Sequence, residues 1–275
     1  MIGHKIHQVL SKNNNFKIFN VSKSKLFDDT KILDLRNIDK VEAVIKKLKP
    51  NIVVNAAGLL IEDSEFNPLD ATLLNSVLPL SLKLMSQKIN FKLIQISTDC
   101  VFSGDNGPYN LYDYKDAKNV YGKTKALGEI NDNSNLTIRT SVIGPDLKKN
   151  GKELFNWFMS QSGKVQGYTK SIWSGVTTLE LAKYIEFCIV EDIVGIKHLS
   201  TKSPISKYEL LLFLKNYTGN KIILEKVDGP VTNKVLLIDR NAFFYCKKSY
   251  NILIDEMVKD IVETNKYPHY NLIKI

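Results

Sequence analysis

Tyr121 and Lys125 are the residues of this sequence whose types and spacing most directly suggest chemistry. They stand four positions apart in the run NVYGKTKALGEI, so a helix would place them one turn from each other on the same face. A lysine ammonium held there would favour the phenolate and lower the pKa of the tyrosine, which makes the phenol a proton donor or acceptor near neutral pH. Such pairs also occur by chance on solvated helix faces, so the pair needs support from its surroundings.

The segment upstream of the pair supplies that support. Ser97, Thr98 and Asp99 follow the apolar run FKLIQI, which predicts a short buried strand, and a loop rich in Gly, Asp and Asn leads on to the Tyr121 helix. A hydroxyl residue at the end of that strand could hold a substrate carbonyl beside the tyrosine. The set therefore predicts carbonyl reduction or alcohol oxidation with a nicotinamide cofactor.

The elements that must position these residues form a regular alternation over the first half of the chain. Alternating strands and helices predict a doubly wound, Rossmann-like α/β fold with a parallel sheet covered on both faces. The predicted strands are residues 16–21, 32–35, 51–58, 91–97 and 136–144. The predicted helices are one capped by Asn37, a long one over 71–88 with Leu73, Leu74, Val77, Leu80, Leu84 and Met85 facing the core, and one from Tyr121 to about Ile130.

The second half of the sequence is less regular and predicts a smaller, closely packed C-terminal subdomain. Its predicted helices are residues 153–161, 179–190, 206–219 and 252–265, and its predicted short strands are KIILEKV and VLLIDR. We expect a cofactor-binding domain of residues 1–145 plus about 174–200, and a substrate-binding subdomain of about 146–173 plus 201–275.

Composition excludes several classes of function. The net charge is +9, yet only three of the 38 basic residues are arginine, the residue that base and phosphate recognition favours, so nucleic acid is not the expected partner. No apolar run is long enough to span a bilayer, and no secretion signal is evident, so we expect no membrane partner and a cytoplasmic location. The odd cysteine count, Cys100, Cys188 and Cys246, fits a reducing compartment. His4 and His7 lack a third ligand, so no metal site is expected.

Four motifs in fixed order give the sequence a family resemblance. They are VVNAAG at 53–58, STDCVFSG at 97–104, YGKTKALGE at 121–129 and IRTSVIG at 138–144. With them the chain resembles the extended short-chain dehydrogenase/reductase family, and within it the dTDP-4-dehydrorhamnose reductases and related sugar-nucleotide reductases. The resemblance covers most of residues 1–200 and is loose in the C-terminal third.

The resemblance implies a role for each matching residue. Thr98 would orient the substrate carbonyl, Tyr121 would donate the proton, and Lys125 would lower the tyrosine pKa and hold the nicotinamide ribose. Asn75 matches a position tied to a proton relay, with a polar residue satisfied inside its helix as the alternative. The implied cofactor contacts are Gly3, Asp34, Leu35, Asn55, Ala56, Ala57, Ser97, Tyr121 and Lys125. The implied substrate contacts are Val101, Phe102, Trp157 and Trp173, with a core position as the alternative for the tryptophans.

The N-terminus departs from the family pattern. Family members open with a strand and a Gly-x-x-Gly-x-x-Gly turn before the first helix, whereas this chain opens MIGHKIHQVL, so Gly3 matches only the third glycine. We expect the natural protein to begin roughly ten residues earlier, the alternative being a truncated chain with impaired cofactor binding. Asn20, Ser22, Lys23 and Lys25 stand where an acidic residue would hold the ribose of NAD, which favours NADPH, with NADH as the alternative.

The expected function is the reduction of a 4-keto nucleotide sugar for deoxysugar or surface polysaccharide synthesis. A nucleotide-sugar epimerase or dehydratase of the same family is one alternative, although the form STD followed by VF favours reduction. A non-catalytic NAD(P)-binding regulatory subunit is the other, and the intact Tyr-Lys pair argues against it. The expected partner is a nucleotide-sugar substrate, and a homodimer is compatible with the sequence.

Overall fold

The computed structural model describes residues 1–238, 247–270 and 272. Three parts of the sequence analysis lie outside the described residues: Cys246, the end of the VLLIDR run and part of the expected C-terminal subdomain. The helices are α1 (Ile2–Leu10), α2 (Ile38–Leu48), α3 (Ile61–Phe66), α4 (Pro68–Thr72), α5 (Leu78–Ile89), α6 (Val120–Leu127), α7 (Leu154–Ser160), α8 (Thr178–Val190), α9 (Lys207–Thr218) and α10 (Tyr250–Thr264). A π-helical turn spans Leu73–Val77 and a 3-10 turn spans Asp99–Val101.

The strands are short. They are β1 (Val21–Ser22), β2 (Lys31–Ile32), β3 (Ile52–Asn55), β4 (Lys92–Ile96), β5 (Leu136–Arg139), β6 (Val142–Ile143), β7 (Lys164–Tyr168), β8 (Ser171–Trp173), β9 (Val176–Thr177), β10 (Gly195–His198), β11 (Ile205–Ser206), β12 (Ile223–Val227) and β13 (Thr232–Asn233).

A parallel sheet of order β10-β5-β4-β3 forms the centre of the first half of the chain. Alternate side chains of β4 enter different cores: Ile94 and Ile96 pack with α1 and α8 on one face, and Leu93 packs with α2 and α5 on the other. Helices therefore cover both faces, and the predicted Rossmann-like α/β fold is confirmed. The predicted cap at Asn37 is confirmed, and Thr177 caps α8; each accepts a hydrogen bond from a first-turn amide.

The predicted strand over 16–21 is much shorter in the structure. Only Val21–Ser22 is a strand, paired in parallel with Lys31–Ile32 and separate from the central sheet. Just before β3, the carbonyl of Asn51 accepts a hydrogen bond from the amide of Lys92 on β4. Backbone groups of successive residues point to alternate sides of a strand, so those of Ile52 and Val54 face the edge of β3 that lies away from β4. Among the described residues no strand pairs with that edge. The apolar run FKIFN at 16–20 has no neighbouring strand among the described residues, so it lacks the ladder of backbone hydrogen bonds that makes a segment a strand.

The long predicted helix over 71–88 is interrupted by the π-helical turn, and this corrects part of the predicted core. Leu78, Leu82 and Met85 are among the buried residues of α5, whereas Leu80 and Leu84 are 38% and 58% exposed. The amide of Leu78 bonds the carbonyl of Leu73, five residues back, so the turn holds one extra residue and shifts the buried face of the helix by one position.

The second half contributes small sheets around α7, α9 and α10. Strands β7 and β12 pair in parallel, β8 lies between β11 and β13, and β6 pairs with β9. The predicted strand over 136–144 is split at Thr140, because β5 stays in the central sheet while β6 turns to β9. The division into a cofactor domain and a substrate subdomain stays a prediction. None of the helices described is both long and apolar enough to cross a membrane.

Candidate active site

Tyr121 lies in the first turn of α6, directly against the turn that follows β4. Asn119 caps the helix by accepting a hydrogen bond from the amide of Gly122 at 2.8 Å. Gly122 has no room for a side chain, since a Cβ there would lie 2.1 Å from the carbonyl oxygen of Cys100. The missing side chain lets α6 pack on the 3-10 turn and so brings Tyr121 to the end of β4, where ligands bind in parallel α/β sheets.

Thr98 meets the tyrosine at this point. Its hydroxyl oxygen accepts a hydrogen bond from the amide of Cys100 at 3.1 Å, and the hydroxyl donates to the carboxylate of Asp99 at 3.1 Å. The Tyr121 hydroxyl also interacts with the Thr98 side chain. The structure thus brings together the two hydroxyl groups that the sequence predicts to flank a substrate carbonyl.

The pKa of Tyr121 is shifted in the direction opposite to our prediction. Burial raises it, and the nearby groups of Cys100, Asp99 and Glu153 raise it further, while the contact with Thr98 opposes them. The sequence argument considered only the i, i+4 spacing and left out the loss of solvent around the phenol. A protonated phenol is nevertheless the form that a proton donor requires.

Lys125 follows the tyrosine by four residues on α6 and is buried. Its ammonium donates to the carbonyl oxygen of Ile96 at 2.6 Å. Burial lowers the pKa of Lys125 to about 8, and the carboxylate of Glu129 opposes this shift. The lysine is therefore held at the end of β4 in a protonation equilibrium close to neutral pH.

Glu129 is a residue of this site to which the sequence analysis gave no role. Its side chain is 1% exposed and accepts hydrogen bonds from the Ser97 hydroxyl at 2.7 Å and from Arg139 at 2.7 and 2.8 Å. Lys115 lies 3.1 Å from it. The signal was present in the run YGKTKALGE, because Glu129 follows Lys125 by four residues. The Ser97 hydroxyl donates to Glu129, and the cofactor contact at Ser97 stays a prediction.

Asn75 sits in the π-helical turn and fixes the loop after β3. Its side-chain oxygen accepts a hydrogen bond from the backbone amide of Leu59 at 3.0 Å. Its side-chain nitrogen donates to the backbone carbonyl of Leu59 at 3.3 Å and to the hydroxyl of Thr124 at 3.1 Å. A Cβ at Gly58 would lie 2.7 Å from the Asn75 oxygen and 3.9 Å from the Lys125 ammonium. These contacts describe the satisfied polar residue that we gave as the alternative. A part in proton relay stays a prediction.

The residues predicted to contact the cofactor gather along the ends of β3 and α1. Asn55 is buried, donates to Gln95 at 2.8 Å and accepts from the amide of Ala57 at 3.2 Å. A Cβ at Gly3 would meet only the Cβ of Ala56, at an ordinary 3.9 Å. No side chain caps the first turn of α1, and free amides at a helix N-terminus favour an anion such as a phosphate.

Asp34 and Leu35 lie at a different place in the same region. Asp34 is paired with Arg36, whose guanidinium hydrogen bonds lower the pKa of this carboxyl group to about 2. Arg36 also bonds Asp70 at 2.6 Å, and Leu35 packs against the core formed by α2 and α5. Both side chains are partly exposed, so an adenine contact at this position stays a prediction.

The four predicted substrate contacts divide into three kinds. The side chains of Val101 and Phe102 are fully buried in a core cluster with Tyr109 and Leu236, so they offer a ligand no surface, and their prediction is corrected. Trp157 is 40% exposed on α7. Trp173 is buried, donates to the Ser141 hydroxyl at 2.8 Å and carries the ammonium of Lys207 at 5.2 Å from its ring.

The two N-terminal histidines have other partners. His4 bonds the Tyr267 hydroxyl at 2.7 Å, and His7 stacks on Phe27 with ring centroids 4.1 Å apart. Across residues 1–238, 247–270 and 272, no three His, Cys, Asp or Glu side chains are grouped in a way that could hold a metal ion.

Comparison with known proteins agrees with this arrangement. A dTDP-4-dehydrorhamnose reductase of Aggregatibacter actinomycetemcomitans is 25% identical over 256 residues, covering 86% of this chain and 82% of that protein. Methionine adenosyltransferase 2 subunit beta of Xenopus tropicalis is 26% identical over 227 residues, covering 76% of this chain and 67% of that protein.

Among solved structures, a dTDP-4-dehydrorhamnose reductase from Bacillus anthracis str. Ames in complex with NADP superposes with a TM-score of 0.74 at 22% identity, covering 84% of this chain and 89% of that one, which shows the shared fold. The family described as RmlD substrate binding domain matches residues 1–225. This chain belongs to that family and, with it, to the extended short-chain dehydrogenase/reductase group.

Proposed function

We propose that this protein catalyses the NAD(P)H-dependent reduction of a 4-keto nucleotide sugar. The observation that carries the proposal is the meeting of Thr98 and Tyr121 at the end of β4. The ammonium of Lys125 is held at the end of the same strand by the carbonyl of Ile96. The family membership and the reductases among the relatives support the same conclusion.

In the proposed reaction Thr98 binds the keto oxygen, Tyr121 donates the proton and Lys125 stabilises the phenolate. A reduced nicotinamide dinucleotide supplies the hydride when bound. The Thr98 hydroxyl turns from Asp99 to donate a hydrogen bond to the keto oxygen. Tyr121 gives its phenolic proton to that oxygen as negative charge develops there, and burial keeps the proton on the phenol until then. The ammonium of Lys125 offsets the charge left on the phenolate, which then takes a proton from solvent.

Four features of the chain fit the nicotinamide dinucleotide. Its phosphates would lie beside the uncapped first turn of α1, at Gly3. Small side chains at Ala56 and Ala57 leave the end of β3 accessible, and Lys125 would hold the ribose hydroxyls. Lys23, in the turn after β1, favours the extra phosphate of NADPH over NADH. The NADP-bound relative is consistent with this choice.

A Tyr121→Phe substitution tests the proposal. We expect the rate of NADPH oxidation with a 4-keto nucleotide sugar to fall about 10²- to 10⁴-fold, because the proton donor is lost while the ring is kept. Tyr112→Phe is the matched control, since Tyr112 is 84% exposed on the loop before α6. If the Tyr121 variant reduced the sugar as fast as the Tyr112 variant, the proposed mechanism would be wrong.

A second candidate function is a non-catalytic partner of another enzyme. Its support is the similarity to a protein named as the beta subunit of methionine adenosyltransferase 2. The epimerase and dehydratase alternatives remain open within the same fold. The meeting of Thr98 and Tyr121 at the end of β4, with Lys125 buried on the same helix as the tyrosine, favours catalysis over a purely structural role. NADPH binding with no turnover of any 4-keto or 4-hydroxy nucleotide sugar would favour the partner role.

A further inference from the structure

A hydrogen-bonded chain of side chains runs across the ends of three neighbouring strands of the central sheet. Ser97 follows β4, Arg139 ends β5 and His198 ends β10. Glu129 joins the first two, because its carboxylate accepts from the Ser97 hydroxyl at 2.7 Å and from the Arg139 guanidinium at 2.7 and 2.8 Å. His198 continues the chain, since its Nε2 lies 3.3 Å from Nη1 of Arg139. The candidate active site at the end of β4 is therefore linked to the two strands next along the sheet.

The partners of His198 decide which of its ring nitrogens carries the proton. An arginine guanidinium has only donors, so Nη1 of Arg139 donates and Nε2 of His198 accepts. The proton of the neutral ring is then on Nδ1, which donates to the carbonyl of Leu237 at 2.8 Å. Burial lowers the pKa of His198 to about 4, so the ring keeps this neutral form at neutral pH. The histidine thus extends the chain from Arg139 to Leu237.

Leu237 belongs to a segment that pairs with the loop before α6. The amide of Tyr109 donates to the carbonyl of Val235 at 2.8 Å, and the amide of Leu237 donates to the carbonyl of Tyr109 at 2.8 Å. Residues 109–111 and 235–237 are therefore held together by backbone hydrogen bonds, and we call them the paired segments.

Arg139 and His198 fasten one paired segment each. Nη1 of Arg139 donates to the carbonyl of Leu111 at 2.7 Å, and Nδ1 of His198 donates to the carbonyl of Leu237. The arginine is 3% exposed and fixed by its buried carboxylate partner, so it is a firm anchor for the histidine. The placement of the paired segments thus depends on side chains from the ends of β5 and β10.

The paired segments lie against the turn that follows Thr98. Leu236 and Tyr109 pack in one buried cluster with Phe102, and the rings of Phe102 and Tyr109 stack with centroids 4.2 Å apart. In the same turn the amide of Cys100 donates to the Thr98 hydroxyl at 3.1 Å. A shift of the paired segments would therefore disturb the turn that holds Thr98.

We propose that His198, anchored by Arg139, is a positioning residue for the reduction. By bonding the carbonyl of Leu237 it holds the paired segments on the turn and keeps the Thr98 hydroxyl where it meets the substrate carbonyl. His198 acts through these segments and does not touch the substrate. Its part in the reaction rests on the proposed function, whereas the fastening of the paired segments does not.

Amide hydrogen exchange tests the fastening without turnover. His198→Gln keeps an acceptor for Arg139 near the position of Nε2 but removes the donor to Leu237. The amides of Tyr109 and Leu237 should then exchange about fivefold faster, as the loss of one hydrogen bond predicts. His198→Asn places its amide nitrogen near the position of Nδ1, so it can still donate to Leu237 and should exchange within about twofold of the wild type.

A second histidine supplies the matched control. His269 is partly buried like His198 and packs on Tyr270 after α10, with ring centroids 4.2 Å apart. His269→Gln introduces the same side chain at a site outside the chain of hydrogen bonds described above. It should leave the exchange of the Tyr109 and Leu237 amides unchanged.

Steady-state kinetics separates positioning from stabilisation. A purely structural role would lower the melting temperature of His198→Gln but leave the kcat of the folded protein unchanged. We expect kcat for a 4-keto nucleotide sugar to fall about tenfold with little change in KM, because a displaced Thr98 weakens a hydrogen bond that strengthens in the transition state. His198→Asn should restore kcat to within about twofold of the wild type.

The proposal is overturned if the Tyr109 and Leu237 amides exchange as slowly in His198→Gln as in the His269 control. It is also overturned if they exchange faster while kcat stays at the wild-type value, or if His198→Asn loses as much kcat as His198→Gln. Failure of the reductase proposal is distinguishable from these results. In that case Tyr121→Phe would keep the normal rate of turnover, while the two amides would still exchange faster in His198→Gln.

Discussion

We expect the stability of the region around Lys125 to depend strongly on the buried charge of Glu129. The substitution Glu129→Gln tests this expectation. The substitution keeps the shape of the side chain but leaves Arg139, itself 3% exposed, without its ion-pair partner. Breaking one side of a buried pair costs about 3–5 kcal/mol of the free energy of unfolding. Lys115, which is 35% exposed, adds little to this. Since domains unfold with about 5–15 kcal/mol, the loss should be a large part of the total.

Urea denaturation followed by circular dichroism measures this loss. Glu42→Gln is the control, because Glu42 pairs with Lys46 on an exposed face of α2 and should cost less than about 1 kcal/mol. The double variant Glu129→Gln with Arg139→Met removes both charges, so it should recover much of the stability lost in the single variant. A loss below about 1 kcal/mol in Glu129→Gln, or simple additivity in the double variant, would refute the reasoning.

The same pair predicts a dependence of stability on pH. Burial raises the pKa of Glu129, but hydrogen bonds from Arg139 and Ser97 outweigh it, so the net shift is downward. A carboxyl group whose pKa is lowered by folding contributes stability above its unfolded pKa of about 4.3, and loses it as the pH falls through the folded value. The stability difference between the wild type and Glu129→Gln should therefore be constant near neutral pH and narrow below about pH 4.

Three further outcomes are expected. Gly58→Ala should lower the melting temperature because its Cβ would lie 2.7 Å from the Asn75 oxygen, and in an Asn75→Ala background the same change should cost less, which thermal unfolding checks against simple additivity. The kcat/KM for the keto sugar should decline above about pH 8 as Lys125 loses its proton, and in Glu129→Gln this limb should move to lower pH; a flat profile up to pH 10 would contradict the role of the ammonium. The outer edge of β3, which has no partner strand among the described residues, should promote concentration-dependent association in sedimentation velocity, which a monomer at all concentrations would disprove.

The parts of this protein that the sequence predicts well are those encoded locally. The run FKLIQI contains β4, Asn37 caps its helix, and the helix at Tyr121 starts within one residue of the predicted position. Apolar spacing and capping residues act over a few positions, so they are visible in the sequence. The order of the four motifs adds the family to these local signals.

The parts that the sequence mispredicts depend on contacts between distant segments. The pKa of Tyr121 follows burial by neighbours that its own helix does not contain. Phe102 was expected at the substrate but stacks on Tyr109 with ring centroids 4.2 Å apart, because the loop between them folds back. The hydroxyl of Ser97 donates to Glu129, which lies 32 residues later in the chain. None of these partners can be identified from spacing alone.

The π-helical turn at Leu73–Val77 has a consequence for how this region can change in evolution. The turn depends on one extra residue in the chain, and no single substitution changes the number of residues. Deleting one residue there would restore a continuous α-helix but rotate everything before it by about 100° relative to α5. Asp70 would then swing away from Arg36, and Asn75 from Leu59. Insertions and deletions in this segment should therefore be far less tolerated than substitutions on the exposed face of α5.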